Sequence, residues 1–399
     1  MNFALKPAAL AAALLSAASL SHAQALDPGK LDLTWYGIAD LAVVSADSGF
    51  GRKMRIDGGG SMQASRLGLR ATRTFADGIR AFAILETGVH FDTGGAGGST
   101  PAAGANVTSA SSGGQNGTGP RLFARQALAG IGGNFGTVTL GRQYGVSYAT
   151  LGAGSVWGDG LYANSANLLA ITGSMPTRFD NALSYTSPTI AGFSAQAMVS
   201  TGAENNISTP VVSGGATITD KSGQGYDLAV RYTNGPAKVA VTTWSVNNAS
   251  YATGETALAK KRGAEIVGSY DFGRAVVAAT YVQARISGGN YENVTKVLSK
   301  SDGWGLSARF PFGDEKRHNL FVSYSSLNDQ SPLNRSAKLY GGAYWYQLEA
   351  ATRIYVSYGT IKNNANASYS LADAGNLVGN LSAPGVKATG LAVGINYNF

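Results

Sequence analysis

The chain contains no cysteine. No disulfide can brace it, so whatever closes the fold must be hydrogen bonding and packing. Charge is also sparse. Asp, Glu, Lys and Arg make up 14% of the 399 residues, against about 25% in an ordinary soluble domain. Even so, beyond residue 23 no stretch approaches the ~18 consecutive apolar residues that a transmembrane helix needs. Helical periodicity is almost missing, and no run of basic residues marks a nucleic-acid partner. A chain this poor in charge, in long apolar runs and in helical pattern must bury its apolar residues in some other way.

The first residues address the compartment. Lys6 is followed by the apolar run "AALAAALLSAASL" and by Ser21, His22 and Ala23. A charged start, an apolar middle and a small-residue end predict a secretory leader over 1–23, leaving 24–399 as one domain. Cleavage after Ala25 is the near alternative, and a buried N-terminal helix the competing one. Removing Lys6 leaves 30 Lys and Arg against 23 Asp and Glu, a surplus of seven spread along the chain.

What is abundant is glycine, with 54 residues, and aromatic side chains, at 10%. They sit in strands of period-two apolarity. In "LTWYGIADL", Leu33, Trp35, Gly37, Ala39 and Leu41 share one face, opposite Thr34, Tyr36 and Asp40. "SRLGLRAT", "NALSYTS", "YDLAVRYT" and "KVAVTTWSV" repeat the pattern. In the final stretch Leu391, Val393, Ile395, Tyr397 and Phe399 alternate with Ala392, Gly394, Asn396 and Asn398.

Short turns alternate with long loops rich in Gly, Ser, Asn and Thr. The short turns fall at 75–78, 133–136, 187–192, 233–236, 271–273, 311–318 and near 347–349; the long loops include 92–120, 202–222, 287–300 and 361–385. Seven short turns joining eight hairpins predict an all-β, sixteen-stranded antiparallel meander. An open sheet of that size would expose its edges and its apolar face. Closure into a transmembrane β-barrel removes the edges and turns the apolar face to lipid. A soluble sandwich or solenoid would need apolar inward faces. Here the opposite parity carries Arg66, Arg70, Arg80, Glu86, Arg125 and Arg178, which predicts a wet lumen rather than a dry core. The last strand is expected to close the barrel against the first.

Several stretches resemble the trimeric general porins of Gram-negative bacteria, in the branch with sixteen strands. They are "LTWYGIADL", "SRLGLRATRTFADGIRAFAILETG", "RLFARQALAGIGGNFGTVTLGRQYG", "RFDNALSYTSPTIAGFSAQ" and "GINYNF". The resemblance implies a homotrimer in the outer membrane, surrounded by lipid and delivered by the outer-membrane assembly machinery. Phe399 would be part of the signal which that machinery reads. It implies a passive channel for small hydrophilic solutes and small anions; the alternative is a porin specific for one anion or organic acid. In that family the third long loop folds into the lumen. Here it is 145–177, which carries Val156, Trp157, Leu161, Tyr162, Leu168, Leu169 and Ile171, apolar content that a solvent-facing loop would not hold.

On strands two, four and six, Arg66, Arg125 and Arg178 occupy positions where anion-preferring members carry wall arginines. Arg70, Arg80, Arg121 and Arg142 are second candidates. Guanidinium charge is permanent, and a narrow passage magnifies its field. Asp159 is the one acid in the inward loop, and Glu86 is a further lumen acid. The competing readings are wall arginines paired with carboxylates, and an Asp159 that only caps the turn "WGDG". Catalysis, cofactors and metals find no support. "DFG" at 271–273 stands without other kinase elements, the Gly-rich 94–119 lacks a phosphate-loop context, and His90 and His318 have no partner pattern for a metal or triad.

Overall fold

The computed structural model describes residues 31–75, 77–96, 122–154, 156, 160–164, 166–170, 175–202, 211–213, 216–218, 223–248, 259–287, 300–371 and 383–399. The expected leader at 1–23 lies outside them, as does most of the long loops at 92–120, 202–222 and 287–300 and the stretch 372–382 of the last one.

The main sheet has eighteen strands. Two of them, Lys53–Asp57 and Gly95–Ala96, are short outgrowths at the long-loop edge. The wall is made by the rest: β1 (Leu31–Asp47), β2 (Arg66–Thr74), β3 (Arg80–His90), β4 (Gln126–Gly133), β5 (Gly136–Tyr144), β6 (Arg178–Thr186), β7 (Phe193–Thr201), β8 (Gln224–Asn234), β9 (Ala237–Asn248), β10 (Ala259–Asp271), β11 (Val276–Ser287), β12 (Lys300–Phe312), β13 (His318–Asp329), β14 (Ala337–Glu349), β15 (Thr352–Asn363) and β16 (Lys387–Asn398). Each pairs antiparallel with its neighbours in sequence, as the alternation of turns and loops requires. The seventh short turn falls at 349–352, just beyond the expected place, and a bulge between Gln347 and Glu349 precedes it.

Closure is direct. β16 pairs with β1 from Ile38↔Asn398 to Asp47↔Thr389. Gly37 and Phe399 extend the ladder by two backbone bonds, of 2.9 and 3.1 Å. Gly37 is needed there: a Cβ would lie 2.3 Å from Phe399 Cζ, so the terminal ring fills the space that the glycine leaves. Trp35, Val43, Leu140, Val199, Val241, Leu306 and Val393 stand exposed on the outer face, and Phe75, Phe135, Phe272, Phe312 and Phe399 ring its short-turn edge. An outer apolar band bordered by aromatics is what lipid contact demands.

The inner face departs from the expected wet lumen on one side. Inward residues of β13–β16, among them Phe321, Leu339, Trp345, Tyr355 and Ile361, form a dry cluster with Met62, Leu161, Tyr162, Leu168 and Leu371 from inserted loops. A second cluster packs Leu151, Leu169 and Met175 on Trp244 and Val282. Charge alone did not decide the interior, because the inserted loops cover part of the wall with apolar side chains. The wet reading survives on the opposite wall.

Candidate pore constriction

The third loop leaves β5 as helix α1 (Val146–Gly154), crosses the lumen, and returns through the short helix α2 (Ala166–Leu169). The expectation of an inward third loop is met. Its fastening is polar at the start: the Ser147 backbone N–H and Oγ donate to Asp227 on β8 at 3.0 and 2.5 Å. Asp227 thereby caps the N-terminus of α1 from the wall. Arg231 Nη2 donates to Thr150 Oγ1 at 3.1 Å. Further on, the Ala163 N–H reaches Ser357 Oγ at 3.4 Å, and Ser323 Oγ donates to the Ala163 carbonyl. The backbone comes so close to the wall that a Cβ at Gly359 would lie 2.1 Å from the Tyr162 carbonyl oxygen.

A second inward segment, 58–65, was not anticipated. Its residues are buried except for a half-buried Gln63. The carboxylate of Asp40 on β1, itself fully buried, holds it. Asp40 accepts the N–H groups of Ser61, Met62 and Gln63 at 3.0, 3.3 and 3.1 Å, the Tyr355 hydroxyl at 2.7 Å and the Asn396 amide at 2.8 Å. Five donors on one carboxylate satisfy a buried charge without a cation. Ser61 then passes the constraint on, because its carbonyl accepts the Leu161 N–H at 2.7 Å. The first loop therefore braces the third. A third inserted segment, 364–371, adds Ala367 and Leu371 to the dry cluster.

Across the lumen from this packed side stands the arginine-bearing wall. Arg125, one residue before β4, donates through Nε to Glu86 Oε1 at 2.8 Å. It also hydrogen-bonds the Tyr144 hydroxyl. Arg178, the first residue of β6, reaches the same hydroxyl at 3.0 Å and lays its guanidinium 4.4 Å from the Tyr144 ring centre. Tyr144 thus gathers two cations by its oxygen and its π face. Tyr148 stacks alongside, with ring centres 6.2 Å apart. Glu86 takes a further bond from the Tyr36 hydroxyl at 2.9 Å. Arg66 opens β2, donates Nε to the Ala64 carbonyl at 2.8 Å, and lies within electrostatic reach of Glu86.

The structure thus brings Arg66, Arg125, Arg178 and Glu86 into one neighbourhood and adds Tyr36 and Tyr144. The competing outcome for a wall arginine, an ion pair with a carboxylate, is found for Arg125 with Glu86 and for Arg142 with Asp180. Arg70 is exposed four residues further along β2. Arg80 pairs with Thr74 at the short-turn edge, eight residues from Arg66. At ~3.3 Å per residue that is about 26 Å along the wall, so Arg80 stands apart from the group. Arg121 and Asp159 lie outside the described residues. The tyrosines were missed because a lone Tyr on either parity carries no signal before its register with the arginines is known. Among the described residues no group of His, Asp and Glu could hold a metal ion.

A closed barrel with an outer apolar band, and with a lumen that inserted loops reduce to a charged passage, is the architecture of an outer-membrane channel. Comparison with known proteins agrees. A family model described as Gram-negative porin matches residues 8–367, and the chain belongs to that family. It is similar to an outer membrane porin protein of Bordetella pertussis, 26% identical, with 97% of this chain and 99% of that protein covered. Its fold is shared with an anion-selective porin from Comamonas acidovorans, with a TM-score of 0.73 at 21% identity over 92% of this chain and 100% of that one. It is shared also with a trimer form of OmpT from Vibrio cholerae, with a TM-score of 0.65 at 16% identity over 92% of this chain and 99% of that one.

Proposed function

We propose that this porin is a general diffusion channel with a preference for small anions, set where the third loop faces the arginine wall. The observation that carries the reading is the charge balance around Tyr144. Arg125 and Arg178 meet there, Arg66 lies within electrostatic reach of the adjoining Glu86, and that one carboxylate faces all three cations. Asp159 is assigned to the facing loop, where a single carboxylate would not cancel what remains. The anion selectivity named for the Comamonas acidovorans neighbour supports the same direction. The chain is further proposed to lose residues 1–23 on export, to fold as a single barrel from 24 to 399, and to assemble as a homotrimer, as the trimer form of the Vibrio cholerae neighbour does. Phe399 serves as its assembly signal.

At ~0.15 M salt the Debye length is ~8 Å, comparable with the radius of such a passage, so wall charges act on each passing ion. Replacing Arg66, Arg125 and Arg178 together by Ala should move the reversal potential in a salt gradient to neutral or to cation preference, while the trimer still assembles. An assembled triple variant with the parent's reversal potential at low salt would reject the assignment and leave the general surplus of basic residues as the cause.

A further inference from the structure

A second cationic hollow lies away from the arginine wall. It opens at the short-turn edge, between the turns 271–276 and 312–318, and has a volume of ≈ 390 Å³. Arg309, Asn319, Trp345 and Arg353 line it from β12–β15, with Lys316 and Arg317 at its rim. Among the described residues its carboxylates are Asp271 and Glu315, so four cations face two acids.

Both acids are already engaged. Glu315 Oε2 accepts Nε and Nη2 of Arg317 at 2.8 and 2.5 Å. Asp271 Oδ1 accepts the Gly273 N–H at 2.7 Å and so closes its own turn. Lys316 Nζ approaches the Gly273 carbonyl at 3.4 Å. Arg353 is oriented by amides: Nε donates to Gln347 Oε1 at 2.8 Å, and Nη1 lies 3.3 Å from Asn396 Oδ1 and 3.5 Å from Gln63 Oε1. The Nε of Arg309 is buried and has no hydrogen-bond partner among the described residues. A buried N–H without an acceptor is costly, and one on a permanent cation more so.

We propose that this hollow is a subsite for small oxyanions, carboxylate or phosphate, at the periplasmic mouth of the channel, with Arg309 as its principal donor. Short turns of such barrels face the periplasm, so the subsite meets solutes that have passed the arginine wall. An oxyanion supplies the acceptor that Arg309 Nε lacks, and the guanidinium fork matches two of its oxygens. The Trp345 ring and the Asn319 amide bound the space. Only the supply of anions through the pore rests on the anion-preferring reading; the subsite itself can be filled from the periplasmic side.

The test is single-channel recording of the full-length protein in potassium chloride, with inorganic phosphate or succinate added to one side. The chain has no cysteine, so L333C on the long-loop edge, treated with an impermeant thiol reagent, reports the orientation of each inserted channel. Phosphate or succinate added at the short-turn side should depress the chloride current with saturation at a concentration roughly three- to tenfold lower than from the other side, the size expected for a partly solvated charge-assisted contact. R309Q should abolish that difference. Saturation by one probe alone identifies its class as the ligand, and saturation by both identifies the shared oxyanion chemistry. Equal saturation from both sides in the parent overturns the proposal, as does an asymmetry that survives in an assembled R309Q channel. The parent measurement stands even if R309Q does not assemble. Failure of the arginine-wall reading would appear separately, as an unchanged reversal potential in the triple Ala variant.

Discussion

Asp40→Ala should free the segment 58–65 from the wall without opening the barrel. If the segment stayed in place, the five donors now on Asp40 would lose their acceptor, at about 1–3 kcal/mol each and so about 5–15 kcal/mol together. Release hydrates those groups and returns backbone entropy to the segment, about 1–2 kcal/mol for each residue freed. Against release stand the burial of Met62, about 2–3 kcal/mol, and five hydrogen bonds at about 1 kcal/mol each: Leu161 N–H to the Ser61 carbonyl, two between Ser65 Oγ and the Asp40 backbone, and the Val89 and Phe91 N–H groups to the Ser65 and Gly58 carbonyls. Release therefore wins by several kcal/mol, while the sixteen-strand ladder is untouched. Met62 is fully buried in the parent, and with no native thiol a Met62→Cys variant makes a clean reporter. Its modification by an impermeant maleimide should be slow alone and at least about tenfold faster with Asp40→Ala, the factor for ~1.4 kcal/mol. Single-channel traces should become noisier, because Leu161 loses its brace and the third loop moves. A double variant that folds, resists the maleimide and conducts as quietly as the parent would refute the argument.

Three other outcomes follow from the same contacts. Glu86→Gln removes the carboxylate facing Arg125 at 2.8 Å and keeps an acceptor for Tyr36; the reversal potential should shift toward stronger anion preference, with the shift shrinking in 1 M salt, where the Debye length is ~3 Å. Removing Phe399 takes the ring off Gly37 and one ladder residue off the closing seam; the yield of heat-modifiable oligomer should fall several-fold, while conductance per assembled channel stays near the parent value. Ser147→Ala removes the 2.5 Å hydroxyl bond to Asp227; gating events should become more frequent with little change in thermal stability, since the wall strands keep their pairing.

The wall was legible in the sequence for a physical reason. Period-two apolarity decides which face meets lipid, and a one-residue slip would turn Trp35, Val43 and Val393 inward. The inward third loop was legible from Leu161, Tyr162 and Leu168, apolar residues that water would not tolerate. The segment 58–65 was not, because "GGGSMQAS" has the composition of a flexible surface loop and only Met62 hints at burial. Its anchor, Asp40, is indistinguishable in sequence from a solvated lumen residue. The dry side had a signal that went unused: in β14 the inward Leu339, Ala343 and Trp345 alternate with the outward Tyr340, Tyr344 and Tyr346. Two apolar parities on one strand mean cover on both faces. Of the site, the arginines were readable as charges on one parity. Which of them would be paired, as Arg142 is with Asp180, depended on neighbours that register alone brings close.

The covered inner face of β13–β16 has a consequence for how this chain tolerates change. All inward positions share a parity, yet they sit in two different solvents. On β2 and β3 an exposed inward position such as Arg70 takes a surface change, and polar or charged variants there should be accepted at the expense of selectivity alone, whereas the buried Glu86 and Gly68, where a Cβ would lie 2.2 Å from Tyr36 Cζ, tolerate less. On β13–β15 an inward replacement falls at Phe321, Leu339, Trp345 or Tyr355, each under 4% exposed. There the rules of a packed interior apply, and truncation to Ala should cost about 2–5 kcal/mol. A saturation scan of the barrel would therefore split by azimuth rather than by depth, with a permissive arc and a restrictive arc on opposite sides of one lumen.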